Sequence, residues 1–302
     1  MQLNDEEQAM LRGEAGAVRK LCFEHQVAVG DFFGAKDFVP VTQAHIMADT
    51  ESLGQAGVMW LEKLAQAPEA ERKVRIPTIT DPRGTDFTKA AMLMQRDWML
   101  ELERRAIDAF TKLGVSMTDT CINYQTIQAP TRGEHVAFGD TGVVIYSNSV
   151  CGARSNFEGG PSALSAGLTG RAPRYGYHLD SARQATVRIR TTCTPTSLNE
   201  WGALGGVIGR IAGNYWAVPF VEGLKARPAR TNSSTSVPRW RASAPRRSST
   251  WRASRRKLSI RPMSAATACR SRTPSARSRS GSCKPLTRRV KRSTWSCSPR
   301  RS

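Results

Sequence analysis

Acidic residues are missing from the last quarter of this 302-residue chain: all 25 Asp and Glu residues lie at or before Glu222. Residues 223–302 carry 23 Lys and Arg and 18 Ser, whereas residues 1–222 hold 22 basic residues and a net charge of −3. The overall net charge of +20 therefore describes neither part of the chain. We expect a folded part of ordinary composition, followed by a tail too polar and too charged to build a core.

The sequence also lacks the patterns of secreted, disulfide-rich and membrane proteins. Its seven cysteines include no CxxC pair, and the N-terminus is acidic where a secretory leader is basic and then apolar. No run of about 18 uncharged apolar residues occurs, because residues 201–220 are interrupted by Arg210 and Asn214. No internal repeat is found. We expect reduced thiols, a cytoplasmic location and no membrane partner.

Capping signals and apolar periodicity predict an α/β layered domain over residues 1–229, with a mostly parallel sheet. Asn4 and Glu7 have the spacing of a capping box, and Gly13 and Gly16 divide the helical region 3–35 into two helices. Thr50 is the predicted N-cap of a helix over 51–67. Further helices are predicted at 97–113 (closed by Gly114), 161–168 and 199–212, and strands at 74–80, 116–121, 143–147 and 185–190.

Functional residues of such sheets collect in loops at the carboxyl ends of strands. Three segments have that predicted position and an unusual composition: 42–50, 118–124 and 147–161. Cys121 and Cys151 each follow a predicted strand, so both thiols can face one cleft and serve as ligands of iron. The alternative is that both are small buried hydrophobic residues. Cys22 and Cys193 are interpreted as structural.

The same loops supply groups that bind anions and transfer protons. Arg154, Ser155 and Asn156 form a donor-rich loop before a helix, which suits a substrate carboxylate, although a solvated arginine beside a helix cap has the same pattern. His45 and His135 are candidates for proton transfer, or else satisfied structural histidines. Tyr124 and Asn123 can position polar groups of the substrate. Thr80 ends a predicted strand together with Thr78 and Asp81 and can line the same cleft, whereas we expect His178 to pack a loop.

Long segments of the chain resemble the large subunit of aconitase X, a branch of the aconitase superfamily of hydro-lyases. They are VTQAHIMADTESLG at 41–54, IPTITDPRGTDF at 76–87, TDTCINYQT at 118–126, the block 132–171 that contains SNSVCGARSNFEGGP, and YGYHLD at 175–180. The resemblance runs over residues 1 to about 229, and Cys151 with the NFEGGP run is more similar to the cis-3-hydroxy-L-proline dehydratases than to the phosphomevalonate dehydratases.

This resemblance implies a dehydratase of a small hydroxylated carboxylate, cis-3-hydroxy-L-proline in the first instance. A phosphomevalonate or other hydroxy-acid dehydratase is the alternative. It also implies an iron–sulfur cluster or iron centre with Cys121 and Cys151 as ligands, and it favours His45 as the catalytic histidine. Because the similarity to the large subunit begins at the first residues of the chain, the resemblance implies a separate small subunit as the partner.

Residues 230–302 are interpreted as the product of a reading-frame shift. Each restored codon takes the third base of one residue's codon and the first two of the next, and residues 231–251 then admit ELKHFGAALASIGAAPIFHL. We therefore predict that about one nucleotide was lost near Arg230, that the tail is disordered, and that the truncated polypeptide is inactive. The alternative is a nucleic-acid-binding tail on an inactive enzyme domain, which the slight aromatic content of the tail does not favour.

Overall fold

The computed structural model describes residues 1–224 and 292–295. These residues fall into two units, one covering Met1–Arg183 and the other starting at Gln184. Apart from 292–295, the predicted frame-shifted tail lies outside the described residues, and the extent of the 1–229 domain stays a prediction. Within the described part, no helix has the length and apolar character needed to cross a membrane.

The first unit contains eight helices and five strands among its described elements. The helices are α1 (Asp5–Arg12), α2 (Ala17–Phe33), α3 (Thr50–Ala65), α4 (Glu69–Arg72), α5 (Asp97–Leu113), α6 (Asn123–Thr126), α7 (Thr141–Tyr146) and α8 (Pro161–Thr169). The strands are β1 (Phe38–Pro40), β2 (Ala44–Ile46), β3 (Thr78–Thr80), β4 (Ala137–Phe138) and β5 (Arg171–Pro173). A π-helical turn, Ser147–Cys151, continues α7.

A parallel sheet of order β3-β2-β4 forms the centre of this unit. Ala44 of β2 lies opposite Thr78 of β3 and Ala137 of β4. Two isolated parallel bridges widen the sheet, one between Ile79 and Ser116 and one between Phe138 and Phe157. β1 and β5 form a separate antiparallel pair. The parallel arrangement that the sequence predicts is thus confirmed.

Helices α2, α3, α5 and α8 bury their apolar faces in one core. The largest fully buried side chains of that core include Leu61, Leu64, Phe110, Leu113 and Leu164. Burial of one such side chain stabilises the fold by about 1.5–3 kcal/mol, so this core holds the helices on the sheet.

The second unit is a smaller α/β layer. Its described elements are β6 (Val187–Thr191), α9 (Leu198–Ala212), β7 (Pro219–Glu222) and β8 (Arg292–Trp295). The strands are parallel in the order β7-β6-β8, and Ile189, Leu204, Ile208 and Val221 form the core of the layer.

The capping signals located the helices well. Asn4 and Glu7 form the predicted capping box, and Gly114 ends α5 in the left-handed conformation. The N-cap of α3 is Asp49 and not Thr50, because the Asp49 carboxylate accepts the N–H of Ser52 at 2.8 Å.

Several strand and loop predictions are wrong. Residues 143–147 lie in α7 and the π turn, because Asp140 caps the segment and its apolar face packs with Val136 and Phe138; such packing overrides the β-propensity of Val and Ile. Residues 116–121 make only the bridge at Ser116, and the 74–80 strand is confined to Thr78–Thr80. The predicted loop 42–50 contains β2.

Candidate active site

The carboxyl ends of the parallel strands each lead into an aspartate. β3 ends directly before Asp81, β4 two residues before Asp140, and β2 three residues before Asp49. The segment that bridges β3 at Ser116 continues in the same direction to Cys121. Parallel strands end at one edge of a sheet, so the topology brings these side chains to a common place.

Close main-chain packing joins the loops at this edge. A Cβ atom at Gly139 would lie 2.3 Å from the carbonyl oxygen of Gly159 and 2.7 Å from that of His45, so only glycine fits between these loops. The Asp81 carboxylate accepts the N–H of Ala48 at 2.7 Å and so ties the loop after β3 to the loop after β2.

The thiol of Cys121 lies in an acidic environment. Burial, and then the charges of Asp140, Asp81 and Asp49, raise the pKa of Cys121 to about 12. A side-chain hydrogen bond with Asp140 raises this pKa as well. At neutral pH the uncomplexed thiol is therefore protonated.

Tyr124 lies in the neighbourhood of both candidate thiols. Its ring stacks on Tyr146 with the centroids 3.9 Å apart. Burial raises the pKa of Tyr124 to about 12, and the charges of Tyr146, Asp140, Cys121 and Cys151 act in the same direction. The charges of both thiols thus act on Tyr124, and a common cleft for the three residues stays a prediction.

The carboxylates at this edge have no basic partner among the described residues. The nearby Arg83 is engaged by Glu103 and Asp119. Burial, and the charges of Asp49 and Asp140, raise the pKa of Asp81 to about 7, although the hydrogen bond from Ala48 opposes the shift. The site therefore has a negative potential that suits a cation.

Glu158, in the NFEGGP run, lies in the loop that bridges β4. Burial raises its pKa to about 7, and its Oε1 has no hydrogen-bond partner within the described part of the chain. Glu158 and Asp81 are thus two carboxyl groups that each titrate near neutral pH.

His45 is wholly buried in the central strand β2. Its Nε2 lies 2.8 Å from the carbonyl oxygen of Thr120, which makes Nε2 the protonated nitrogen. Nδ1 has no partner among the described residues, and burial lowers the pKa of the imidazole. His45 is therefore neutral, with one available lone pair, and the Asp140 charge acts on it.

Asn123 follows Cys121 closely and begins α6. Its side chain is wholly buried, and neither Oδ1 nor Nδ2 has a hydrogen-bond partner in residues 1–224 or 292–295. Thr80, by contrast, donates its hydroxyl to Asp119 at 3.1 Å. Asp119 has φ of 49°, a strained value for a non-glycine residue, so Thr80 helps to hold the loop that presents Cys121.

The donor-rich loop Arg154, Ser155 and Asn156 forms a second group of contacts. Arg154 donates to Asp180 at 2.5 Å and to the carbonyl oxygen of His178 at 3.0 Å. Ser155 is fully buried and accepts the N–H of Phe138 at 3.0 Å.

Asn156 is likewise buried, and it binds main-chain groups of Tyr175 and Tyr177. Ser155 and Asn156 thus hold the loop, and of the three only Arg154 keeps a partly exposed polar end.

Two further histidines, His135 and His178, lie beside Arg154. His178 is buried and stacks on His135, with the two Nδ1 atoms 2.8 Å apart. His178 therefore packs the loop, as expected from the sequence.

The residues present supply part of a metal site. Two thiols and the Asp140 carboxylate lie around Tyr124, and thiolate is the usual ligand of iron–sulfur clusters. In the described ranges, no three His, Cys, Asp or Glu side chains are placed to hold a metal ion. Cys121 and Cys151 fit such a group by their chemistry, but they do not complete it.

Sequence reasoning missed Asp140 and did not single out Glu158. The signal for Asp140 was its place two residues after a strand, and the wrong strand at 143–147 put it before a strand instead. Glu158 lies within the predicted loop 147–161, and only its burial in the structure distinguishes it.

The comparisons with known proteins agree with this α/β architecture. Residues 1–181 match the family described as aconitase X first domain, and the chain belongs to the aconitase X family. A crystal structure of Thermococcus kodakaraensis aconitase X in its holo-form superposes with a TM-score of 0.66 at 33% identity, covering 74% of this chain and 55% of that one.

Two kinds of dehydratase are among the relatives. The phosphomevalonate dehydratase large subunit of Methanosarcina mazei is 36% identical over 231 residues, which are 76% of this chain and 55% of the relative. The cis-3-hydroxy-L-proline dehydratase of Pseudomonas aeruginosa is 30% identical over 249 residues, covering 77% and 41%. The chain thus spans about half the length of these relatives, and their names do not single out one substrate.

Proposed function

We propose that this chain is the first part of a hydro-lyase that removes water from a small hydroxylated carboxylate, with cis-3-hydroxy-L-proline as the substrate. The observation that carries the proposal is the group formed by Cys121, Tyr124, Asp140 and Cys151 at the carboxyl edge of an aconitase X domain. The activity belongs to the unshifted reading frame, and the polypeptide as translated is inactive.

Tyr124 and His45 are assigned to proton transfer. Because its pKa is raised to about 12, Tyr124 keeps its proton at neutral pH and can donate it to a departing hydroxyl group. His45 is neutral and has an available Nδ1 lone pair, so it accepts a proton from within the site. The charge of Asp140 acts on both residues.

Substrate binding is assigned to Asn123 and Arg154. A buried carboxamide without partners costs about 1–3 kcal/mol for each unmade hydrogen bond, and polar substrate groups would remove that cost. The guanidinium of Arg154 suits a carboxylate, provided that it exchanges the exposed Asp180 for substrate. Ser155, Asn156 and Thr80 support these residues by fixing their loops.

The charge of the site supports an amino-acid substrate. Asp49, Asp81 and Asp140 gather without a basic partner in the described part, so the ring ammonium of a hydroxyproline is attracted there. A phosphorylated substrate would be repelled by the same carboxylates. Phosphomevalonate remains the second candidate because the archaeal relatives share the higher identity, 33–36% against 28–30%.

We further propose an iron or iron–sulfur centre with Cys121 and Cys151 among its ligands. A bound cation lowers the pKa of a coordinating thiol, which offsets the raised pKa of Cys121. Such a centre supplies a Lewis acid for the leaving hydroxide. A separate small subunit is the proposed partner, since several relatives are named large subunits.

The test uses the frame-restored chain together with its small subunit. Dehydration of cis-3-hydroxy-L-proline and of phosphomevalonate is measured side by side, with iron content determined on the same samples. We expect turnover of the hydroxyproline and loss of both iron and turnover in Cys121→Ser and Cys151→Ser. Turnover of phosphomevalonate alone would overturn the substrate assignment, and full iron content in both variants would overturn the ligand assignment.

Cys193→Ser is the matched control. Cys193 lies past β6 in the second unit, where its sulfur is 3.4 Å from the Thr191 hydroxyl, and it has no assigned role in the site. We expect this variant to retain iron and turnover. Asn123→Ala is expected to raise KM, since the carboxamide is assigned to binding and not to proton transfer.

A further inference from the structure

The side chain of Asn148 fixes the π-helical turn that carries Cys151 at both of its ends. Its Nδ2 donates to the carbonyl oxygens of Val144 at 2.9 Å and Ser155 at 2.8 Å. Its Oδ1 accepts the N–H of Ser155 at 3.3 Å. Asn148 therefore links the end of α7 to the segment after the turn. Single π turns in proteins occur frequently at functional sites.

Arg183 grips this asparagine from a short 3₁₀ turn, Ser181–Arg183. Its Nη1 donates to Asn148 Oδ1 at 2.6 Å, and its Nη2 donates to the Asn148 carbonyl oxygen at 3.3 Å. Nη1 also lies 3.3 Å from the carbonyl oxygen of Tyr177. The planar guanidinium thus holds the side chain and the main chain of one residue, a geometry that lysine cannot reproduce.

The surroundings of Arg183 indicate that its role is geometric. Burial, and then the charge of Arg154, lower the pKa of Arg183 to about 10. Its hydrogen bonds to Asn148 and Tyr177 go to neutral oxygens, and the nearby Asp180 makes its ion pair with Arg154. A partly buried cation held by neutral groups costs more desolvation free energy than a neutral brace would, so electrostatic stabilisation does not explain it.

We propose that Arg183 is a positioning residue which, through Asn148, holds the π turn and so keeps the Cys151 sulfur in the neighbourhood of Tyr124. This inference rests on the proposed function, because it is the active site that gives the position of Cys151 its importance. Arg183 holds Asn148, so the effect on Cys151 passes through the main chain of residues 148–151.

The experiment measures the alkylation rate of each cysteine in the 302-residue chain, using iodoacetamide and mass spectrometry of the labelled peptides. Arg183→Met, Arg183→Lys and Asn148→Ala are compared with the parent chain. We expect Cys151 to react about three to ten times faster in all three, because the turn opens locally, while the rate at Cys121 stays constant. The double variant Arg183→Met/Asn148→Ala is expected to add nothing to Asn148→Ala alone.

Arg174→Met is the matched control. Arg174 is an exposed arginine that pairs with Asp37, so its loss leaves the rate at Cys151 unchanged. An unchanged Cys151 rate in Arg183→Lys, which preserves the charge and the fold, overturns the proposal. Equal acceleration at Cys121 and Cys151, together with a lower unfolding midpoint, overturns it also, because the effect is then global.

This readout needs neither iron nor turnover. A Cys151→Ser variant that keeps its iron would remove the proposed ligand role while leaving the alkylation result intact. The two proposals therefore fail separately.

Discussion

Glu158 is a carboxyl group whose protonation is coupled to folding. Burial raises its pKa from 4.5 to about 7 in the folded chain. Below pH 4.5 the group is protonated in both states and costs nothing. As the pH rises from 4.5 to about 7, the unfolded chain ionises while the folded chain does not, so stability falls and then levels off.

We expect Glu158→Gln to remove this loss. The variant should be more stable than the parent at pH 8, by a value on the order of 1–3 kcal/mol, and equally stable at pH 4. Urea unfolding at several pH values measures the difference. Glu51→Gln, at an exposed position in α3, should leave the slope unchanged. A Glu158→Gln variant with the parent's pH slope would contradict the assignment.

Residue types and spacing indicate which loops carry candidate groups, but not what each side chain touches. Cys121 follows the segment that bridges β3, whereas Cys151 ends the π turn after α7, so the strand expected before Cys151 is absent. The charges of both thiols nevertheless act on Tyr124. Ser155 and Asn156 look like anion donors in sequence, and only the folded loop shows that Phe138 and Tyr175 occupy them. Such contacts join residues some twenty positions apart, which no local pattern encodes.

At the scale of elements, helix ends were predicted better than the short strands of the first unit, whereas the strand expected at 185–190 is present as β6. The capping box of Asn4 and Glu7 and the glycine at 114 act within one turn of the chain, so their signals are local. The described strands of the first unit have only two or three residues, too few for alternation to show. Residues 143–147 became helix because of the Asp140 cap and tertiary packing.

Helix α8 approaches β3 so closely that it needs glycine at 167. A Cβ atom there would lie 2.5 Å from Oγ1 and 3.1 Å from Cγ2 of Thr78. We expect Gly167→Ala to destabilise the chain by about 1–3 kcal/mol through overpacking, as measured by urea unfolding.

A double-mutant cycle and a control identify the cause. Thr78→Ala removes both of these atoms. In a chain that carries Thr78→Ala, Gly167→Ala should therefore lower the free energy of unfolding by less than it does in the parent chain. Gly209→Ala, in the last turn of α9 with open space around it, should stabilise by about 0.5–1 kcal/mol through helix propensity. If Gly167→Ala does not lower the free energy of unfolding, the contact with Thr78 does not restrict position 167 to glycine.

At the scale of the whole molecule, two kinds of sequence meet near residue 230. Up to Glu222 the charges are balanced and the caps, core and strand ends agree with one fold. Beyond it no acid occurs, and the relatives extend well past the length that this chain matches. β8 lies within the segment that we predict to be translated out of frame. Its pairing with β6 uses main-chain N–H and C=O groups, so it does not depend on the correct reading frame.

Sequencing the gene across the codons for Ala229 to Ser233 tests the frame-shift hypothesis. We expect one additional nucleotide, which restores ELKHFGAALASIGAAPIFHL and returns acidic residues to the text after position 222. The protein isolated from its source should then have an intact mass well above that of 302 residues.

If the gene has no additional nucleotide at these codons and the cells contain a 302-residue protein, the frame-shift hypothesis is contradicted. The tail would then be a genuine polycation that binds nucleic acid. The logarithm of its binding constant would fall linearly with the logarithm of salt concentration, and binding would vanish on deletion of residues 231–302.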